Sequence, residues 1–65
     1  MGPRRYLALR RMHLARRALR HGVPAVTTVT EIAAQHGFWQ FGRFAGEYHH
    51  LFGEFPSATL AREPA

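Results

Sequence analysis

Two short helical segments separated by a single glycine constrain the fold more than any other feature, and they span Thr28 to Phe52. In both segments apolar residues recur at spacings of three and four, which predicts helices with one buried face. Gly37 lies between the segments, where the chain must reverse within a few residues, and glycine readily adopts the positive φ that such a turn favours. The spacing therefore predicts two helices that meet at a tight turn.

Local signals define the ends of these two helices. Thr28 and Glu31 have the capping-box spacing, in which the hydroxyl accepts the third helical N–H and the carboxylate reaches back to the cap. The first helix of the pair is predicted from Val29 to about His36. The second is predicted from about Gln40 to Phe52. Its apolar side is expected to hold Phe41, Phe44, Ala45, Tyr48, Leu51 and Phe52.

A longer helix is predicted before this pair, from about Arg4 to Arg20, because nothing in that stretch interrupts it. Gly22 is expected to close this helix as a left-handed cap. Arg11 falls within the apolar face, so its charge should require a partner, with Glu31, Glu47 and helix-end carbonyls as the candidates. The predicted apolar face consists of Leu7, Ala8, Met12, Leu14, Ala15, Ala18 and Leu19.

A last short turn is predicted from Pro56 to about Arg62, since proline favours the first position of a helix. Sixty-five residues are enough for one domain, and its small core has no cysteine to reinforce it. Two helices joined by a tight glycine turn form a helix-turn-helix motif. The predicted fold class is therefore all-α, a helix-turn-helix (homeodomain-like) domain of three to four helices.

The charge balance is strongly basic, with nine Arg, no Lys and four acidic residues, which gives a formal net charge of +5. Such a field attracts nucleic acid, acidic membrane surfaces or acidic proteins, and does not choose among them. The absence of cysteine makes the cytoplasm the default location. One class of function left open is therefore a non-enzymatic basic interaction module that binds an acidic protein or a membrane surface.

Five histidines raise the possibility of a metal site, but their arrangement is unfavourable. His49 and His50 are adjacent, so on a helix they point about 100° apart. There is neither a cysteine nor an H-E-x-x-H motif. The chain also lacks aspartate, and Ser57 has no nucleophile-elbow context. We therefore expect neither an enzyme nor a metal or other cofactor.

The sequence resembles the C-terminal part of the DNA-binding domain of the AraC/XylS family of bacterial transcription regulators. The resemblance rests on Pro3, Tyr6, Leu7, Arg11, Met12, Ala15, Arg16, Val29, Thr30, Glu31, Ile32, Ala33, Gly37, Phe38, Phe44, Tyr48, Phe52, Gly53, Pro56 and Ser57. It implies a single domain over residues 1–65, with a connecting helix at about 4–20 and a second helix-turn-helix unit at about 28–52. A short C-terminal turn follows at 56–62. The first unit and the effector-binding domain of the family are missing, so the chain is expected to be a fragment or a truncated reading frame.

The same resemblance implies sequence-specific binding of double-stranded DNA in transcription regulation, with a recognition helix at about 40–52 in the major groove. Three side chains on that helix are the expected base readers. Arg43 can bond guanine in a bidentate manner, Gln40 can read adenine and Glu47 can accept from cytosine. The alternative for Arg43 and Glu47 is an ordinary surface ion pair between residues four apart.

Gly42 and Gly46 stand on the side of the second helix opposite its aromatic face. Each costs roughly 1 kcal/mol relative to alanine in helix propensity, and close approach of the backbone to a groove would explain both. Family members frequently have Ser and Arg at these two positions, and a small polar residue in place of Trp39. These departures remove two usual base readers and a usual helix cap.

Phosphate contacts are expected from Thr28, Thr30, His49, His50 and Arg16. For Thr28 and Thr30 the reason is that hydroxyls and backbone N–H groups at a helix start suit a phosphate. The alternative for Thr28 is a helix cap alone, and for the arginines a solvated helix surface. The expected partner is double-stranded DNA, with a second copy of the chain or RNA polymerase as further candidates. We expect neither a membrane partner nor a small-molecule ligand for this segment.

Overall fold

The computed structural model describes residues 3–62 and contains four helices there. These are α1 (Pro3–His21), α2 (Val29–Gln35), α3 (Phe41–Phe52) and α4 (Pro56–Ala61). The all-α prediction is confirmed, and every predicted helix is found within one residue of its expected ends. The described chain is elongated, measuring 36 × 20 × 18 Å, because α1 is much longer than the others.

The core lies where α1 packs against α2 and α4 and where α3 closes over them. Its buried apolar residues are Met12, Ala15, Leu19, Ile32, Ala33, Phe44, Tyr48 and Leu60. Along α3 the rings of Phe38, Phe44, Tyr48 and Phe52 follow one another at centroid separations of 4.8, 5.8 and 4.6 Å. Such aromatic pairs add about 0.5–1.5 kcal/mol each beyond the area they bury. This series of rings fixes the rotation of α3 and therefore decides which of its sides remains exposed.

The predicted apolar face of α1 is buried only in part. Met12, Ala15 and Leu19 are buried as expected, and Ala18 packs against them. Leu7 and Leu14 are 50% and 44% exposed, and Ala8 is also exposed, because the other helices cover only a narrow strip of α1 and only from Met12 onward. The hydrophobic pattern shows that α1 is amphipathic, whereas the positions of the other helices determine which apolar residues are covered.

Arg11 does not need the buried partner expected of it, because it is exposed. Its guanidinium lies beside the turn at Gly37, with Nη1 3.6 Å from the position that a Cβ would take there. The charge therefore stays in contact with water, and neither Glu31 nor Glu47 is required to compensate it.

The glycines that border the helices serve two different purposes. Gly37 and Gly53 have φ values of 84° and 77°, so the predicted positive-φ turn at Gly37 is confirmed. Gly22 is not among the described glycines with positive φ, and its predicted left-handed cap is wrong. A Cβ at Gly22 would lie 2.9 Å from Cδ1 of Leu60 and 3.2 Å from Cγ2 of Thr27. The absence of a side chain at Gly22 therefore lets Leu60 of α4 pack directly against the end of α1.

Half of the predicted capping box is formed at the start of α2. The Thr28 hydroxyl accepts a hydrogen bond from the backbone N–H of Glu31 at 3.1 Å, as expected. The Glu31 carboxylate instead accepts a bond from the Thr27 hydroxyl at 3.2 Å.

A chain of side-chain hydrogen bonds ties the middle of α3 to α4. The Tyr48 hydroxyl, which is fully buried, lies 2.8 Å from the hydroxyl of Thr59. Thr59 in turn donates to the Glu54 carboxylate, which also accepts from Arg62 at 2.7 Å. The hydrogen bond from Thr59 and the charges of Arg62 and Arg16 together lower the pKa of Glu54 below its ordinary value. Burial raises the pKa of Tyr48.

The lowered pKa of Glu54 predicts an acid-dependent loss of stability. A carboxyl group whose pKa is lower in the folded state stabilises the fold above its unfolded pKa, which is about 4.3. That contribution disappears as pH falls from about 5 through the folded pKa. Glu54→Gln should therefore flatten the fall in thermal midpoint between neutral and acid pH, as followed by circular dichroism. Glu31→Gln is the matched control, and an equal flattening by both variants would contradict the assignment to Glu54.

Candidate nucleic-acid interface

The side of α3 that faces away from the core is open along its backbone. Gly42 and Gly46 are exposed, and a Cβ added at either would meet nothing within 4 Å. The helix is continuous past both glycines, from Phe41 to Phe52. Since the two glycines are one turn apart, the backbone is bare over about 6 Å of helix length. This side can approach another surface more closely than a helix that carries side chains.

Arg43 and Glu47 lie beside the glycines and form an ion pair, with Nε and Oε1 3.0 Å apart. Their side chains are 74% and 52% exposed. An exposed pair between residues four apart contributes only about 0.3–0.5 kcal/mol. The surface-pair interpretation thus describes the free protein, and the pair is weak enough for a ligand to open it. Gln40, the third predicted base reader, is exposed at the N-cap and makes no side-chain capping bond.

A groove of about 600 Å³ separates the first half of α1 from α3. Its basic side chains are Arg5 on α1 and Arg43 and His50 on α3, and Glu47 is the acidic group among its lining residues. The apolar residues of the groove are Ala8, Leu9, Met12 and Leu51, and Gly46 also lines it. The groove therefore combines an apolar surface with cations from two helices.

Arg5 is a candidate that was not predicted from the sequence. The signal was its spacing, since Arg5, Met12 and Leu19 are seven residues apart and so share one side of α1. Met12 and Leu19 are buried on that side, while Arg5 extends beyond the core toward α3.

The predicted phosphate-binding residues do not converge on one place. His50 lines the groove. The ring of His49 stacks on Phe55, with centroids 4.3 Å apart, and the guanidinium carbon of Arg16 lies 5.0 Å from the Phe52 ring centroid. Both contacts are in the C-terminal part of α3, about 10 to 15 Å along the helix from Gly42.

The two threonines at the start of α2 differ in how available their hydroxyl groups are for a phosphate contact. The Thr28 hydroxyl caps the helix, which is the alternative role that the sequence suggested for it. Thr30 is exposed one residue inside the helix.

Trp39 is conspicuous among the residues that lead into α3, because it is 73% exposed. From the sequence, Trp39 was expected only to be unable to cap the helix. The N-cap of α3 indeed has no side-chain hydrogen bond. Phe41, two residues on, is 37% exposed. The start of α3 therefore exposes aromatic surface to solvent at residues that immediately precede Gly42 in the sequence.

Two other kinds of feature, a metal site and a membrane-spanning helix, were sought among the residues that the structure describes. Over residues 3–62, no group of three or more His and Glu side chains is placed to hold a metal ion. None of the helices within that range is long and apolar enough to span a lipid bilayer.

Comparison with known proteins gives consistent matches. The profile of the family described as "Helix-turn-helix domain" matches residues 1–62. The chain is 48% identical over 62 residues to the probable thc operon regulatory protein of Rhodococcus erythropolis. It is 37% identical over 59 residues to XylDLEGF operon transcriptional activator 2 of Pseudomonas putida, and 42% identical over 60 residues to activator 1.

These matches cover nearly all of this chain but little of the relatives. They include 95%, 91% and 92% of the chain, respectively, but only 19%, 38% and 18% of the three regulators. The chain thus spans about a fifth of the length of two of these relatives and less than two fifths of the third. No solved structure matches the chain significantly.

Proposed function

Since the chain belongs to the AraC/XylS family of bacterial helix-turn-helix transcription regulators, we propose that it binds double-stranded DNA sequence-specifically, with α3 in the major groove. The family is one of DNA-binding regulators and not of enzymes. The observation that carries the proposal is the open side of α3, where the bare backbone at Gly42 and Gly46 lies beside the exposed Arg43 and Glu47. A major groove is about 12 Å wide and admits one α-helix.

Base reading is proposed for the three polar side chains on or next to this open side. Arg43 would bond the two acceptors of guanine, and Gln40 would bond adenine. Glu47 would accept from the amino group of cytosine once its ion pair with Arg43 opens. Opening that pair costs little, because both side chains are already largely in water.

Phosphate contacts are proposed along the groove between α1 and α3. His50 on α3 and Arg5 on α1 face this groove from its two sides, where their N–H groups could donate to phosphate oxygens. Thr28, Thr30, His49 and Arg16 are further proposed contacts. His49 and Arg16 would have to turn away from the aromatic rings that they now contact.

The domain assignment is likewise a proposal. We take α1 as the connecting helix of the family and α2 and α3 as its second helix-turn-helix unit. A second copy of the chain and RNA polymerase are proposed as additional partners of the longer regulators to which this segment is similar. The cytoplasm is the proposed site of action, since bacterial DNA lies there.

The proposal is tested by titrating fluorescently labelled duplexes with the 65-residue chain and measuring anisotropy. With one reading unit, binding should be weak, in the range ~10⁻⁴–10⁻⁶ M at physiological salt, and the logarithm of the affinity should fall by about 0.9 per phosphate contact per decade of salt. A duplex selected from a random pool at low salt should bind better than its scrambled counterpart. Equal binding to both duplexes would favour the basic interaction module, and nanomolar specific binding by the monomer would contradict a single reading unit.

Replacing Arg43 tests the reading helix itself. Arg43→Ala should weaken binding to the selected duplex by roughly 5- to 150-fold at a guanine position, which corresponds to about 1–3 kcal/mol. The loss should be much smaller on the scrambled duplex. Arg17→Ala is the charge-matched control, because Arg17 is exposed on the side of α1 opposite Leu19 and should affect both duplexes equally. Unchanged discrimination by Arg43→Ala would show that α3 is not the reading helix.

A further inference from the structure

We infer, building on the proposed function, that Trp39 packs its indole against thymine methyl groups in the major groove. Trp39 would thus add a preference for thymine that the polar residues of α3 do not supply. The partner is the same duplex, and the new element is an apolar reader that stands just before the recognition helix.

The backbone explains why this side chain points outward. Residues 38–40 lie outside the helices, and Gln40 has φ −96° and ψ 88°. The ring of Phe38 packs on Phe44 with centroids 4.8 Å apart, whereas its neighbour Trp39 is 73% exposed. The chain thus directs Phe38 to the core and leaves the indole of Trp39 in solvent.

The surroundings of Trp39 leave space for a duplex. Gln40 is exposed, and Gly42 has no side chain and open space around it. Trp39 lies three residues before Gly42 in the sequence, at the N-terminal end of α3 where the bare side begins. A duplex close enough to contact the backbone of Gly42 would bring base edges within reach of the indole.

The chemistry of the groove points to thymine. Among the four bases, only thymine presents a methyl group in the major groove, and the other groove edges are hydrogen-bond donors and acceptors. A large exposed apolar ring gains by covering a methyl group, since about 0.8 kcal/mol is obtained per buried CH₂. The indole N–H can at the same time remain directed to water or to a phosphate oxygen.

The test replaces thymine by deoxyuridine, which removes the methyl group and keeps base pairing. Each thymine of the duplex selected for this chain is replaced in turn, and affinities are measured by anisotropy at low salt. At one or two positions the affinity should fall about three- to fivefold, the factor that corresponds to one buried methyl. Because Trp39 is the one tryptophan of the chain, its emission should shift to shorter wavelength on binding the thymine duplex.

Two variants make the test specific. Trp39→Ala should bind the thymine and deoxyuridine duplexes equally, whereas Phe55→Ala, which removes another exposed aromatic at the opposite end of α3, should keep the difference. Circular dichroism verifies that both variants remain folded.

The outcomes separate this inference from the proposed function. If the native chain binds thymine and deoxyuridine duplexes equally while Arg43→Ala still loses discrimination, the role of Trp39 is wrong and the proposed function stands. If the native chain prefers no duplex over its scrambled counterpart, both are wrong. If Trp39→Ala impairs only binding to RNA polymerase, Trp39 belongs to a protein interface, which also overturns the inference.

Discussion

Replacing Phe44 with alanine should leave the chain largely unfolded at 25 °C. Phe44 is 2% exposed, and its ring contacts those of Phe38 and Tyr48. Truncating such a core phenylalanine costs about 3–5 kcal/mol. A single core in a domain of this size rarely supplies more than about 3–5 kcal/mol in total. The two quantities are comparable, so far-UV circular dichroism should show most of the helix signal lost before any heating.

Phe41→Ala provides the matched control on the same helix. Phe41 is 37% exposed, so its truncation should lower the thermal midpoint moderately and leave a cooperative transition. A Phe44→Ala chain that melts at the same temperature as Phe41→Ala would contradict the central place of Phe44 in the core.

Replacing both Gly42 and Gly46 with alanine should stabilise the fold and weaken DNA binding. Each replacement gains about 1 kcal/mol of helix propensity, and the added Cβ atoms meet nothing within 4 Å. Urea denaturation should therefore show a gain of about 2 kcal/mol in the free energy of unfolding. On the selected duplex the same variant should bind at least about tenfold more weakly, the equivalent of 1.4 kcal/mol, because the methyl groups hold α3 away from the base edges.

Gly37→Ala is the control for the stability half of this prediction. Its φ of 84° is unfavourable for alanine, so the same chemical change should destabilise the chain there by about 1–2 kcal/mol. For the binding half, unchanged affinity of the doubly substituted chain would show that the two glycines do not serve close approach to DNA.

The features that could be predicted from the sequence depend on interactions between residues that are close together in the chain. The bounds of α2 and α3 follow from apolar spacing, the cap at Thr28 and the turn at Gly37, all of which act within a few residues. The family resemblance is confirmed as well, because it depended on the order and spacing of many residues along the chain.

Features that depend on the packing of distant segments could not be predicted. How much of the apolar face of α1 is covered depends on where α2 and α4 lie, so the exposure of Leu7 and Leu14 is not visible in the periodicity. The close contact of Gly22 with Leu60 joins residues far apart in sequence, whereas the expected left-handed cap was a local inference.

The same distinction applies to the candidate site. The open side of α3 was predicted, because a helix with an aromatic face must have an opposite face. The groove with Arg5 was not predicted, since it requires the direction of α1 relative to α3. Contact between the base readers and DNA remains a prediction, because it depends on a duplex as well as on the chain.

The two walls of the groove between α1 and α3 differ in how well they are packed. The wall on α3 is anchored by Phe44 and Tyr48, whereas on α1 the side chains from Arg4 to Ala8 are all exposed and lie beyond the core. Amide hydrogen exchange should therefore be slow around Leu19 and become faster toward the start of the same helix. A phosphate held by Arg5 would slow that exchange, so the ordering of this end of α1 and the capture of a duplex would be one coupled event.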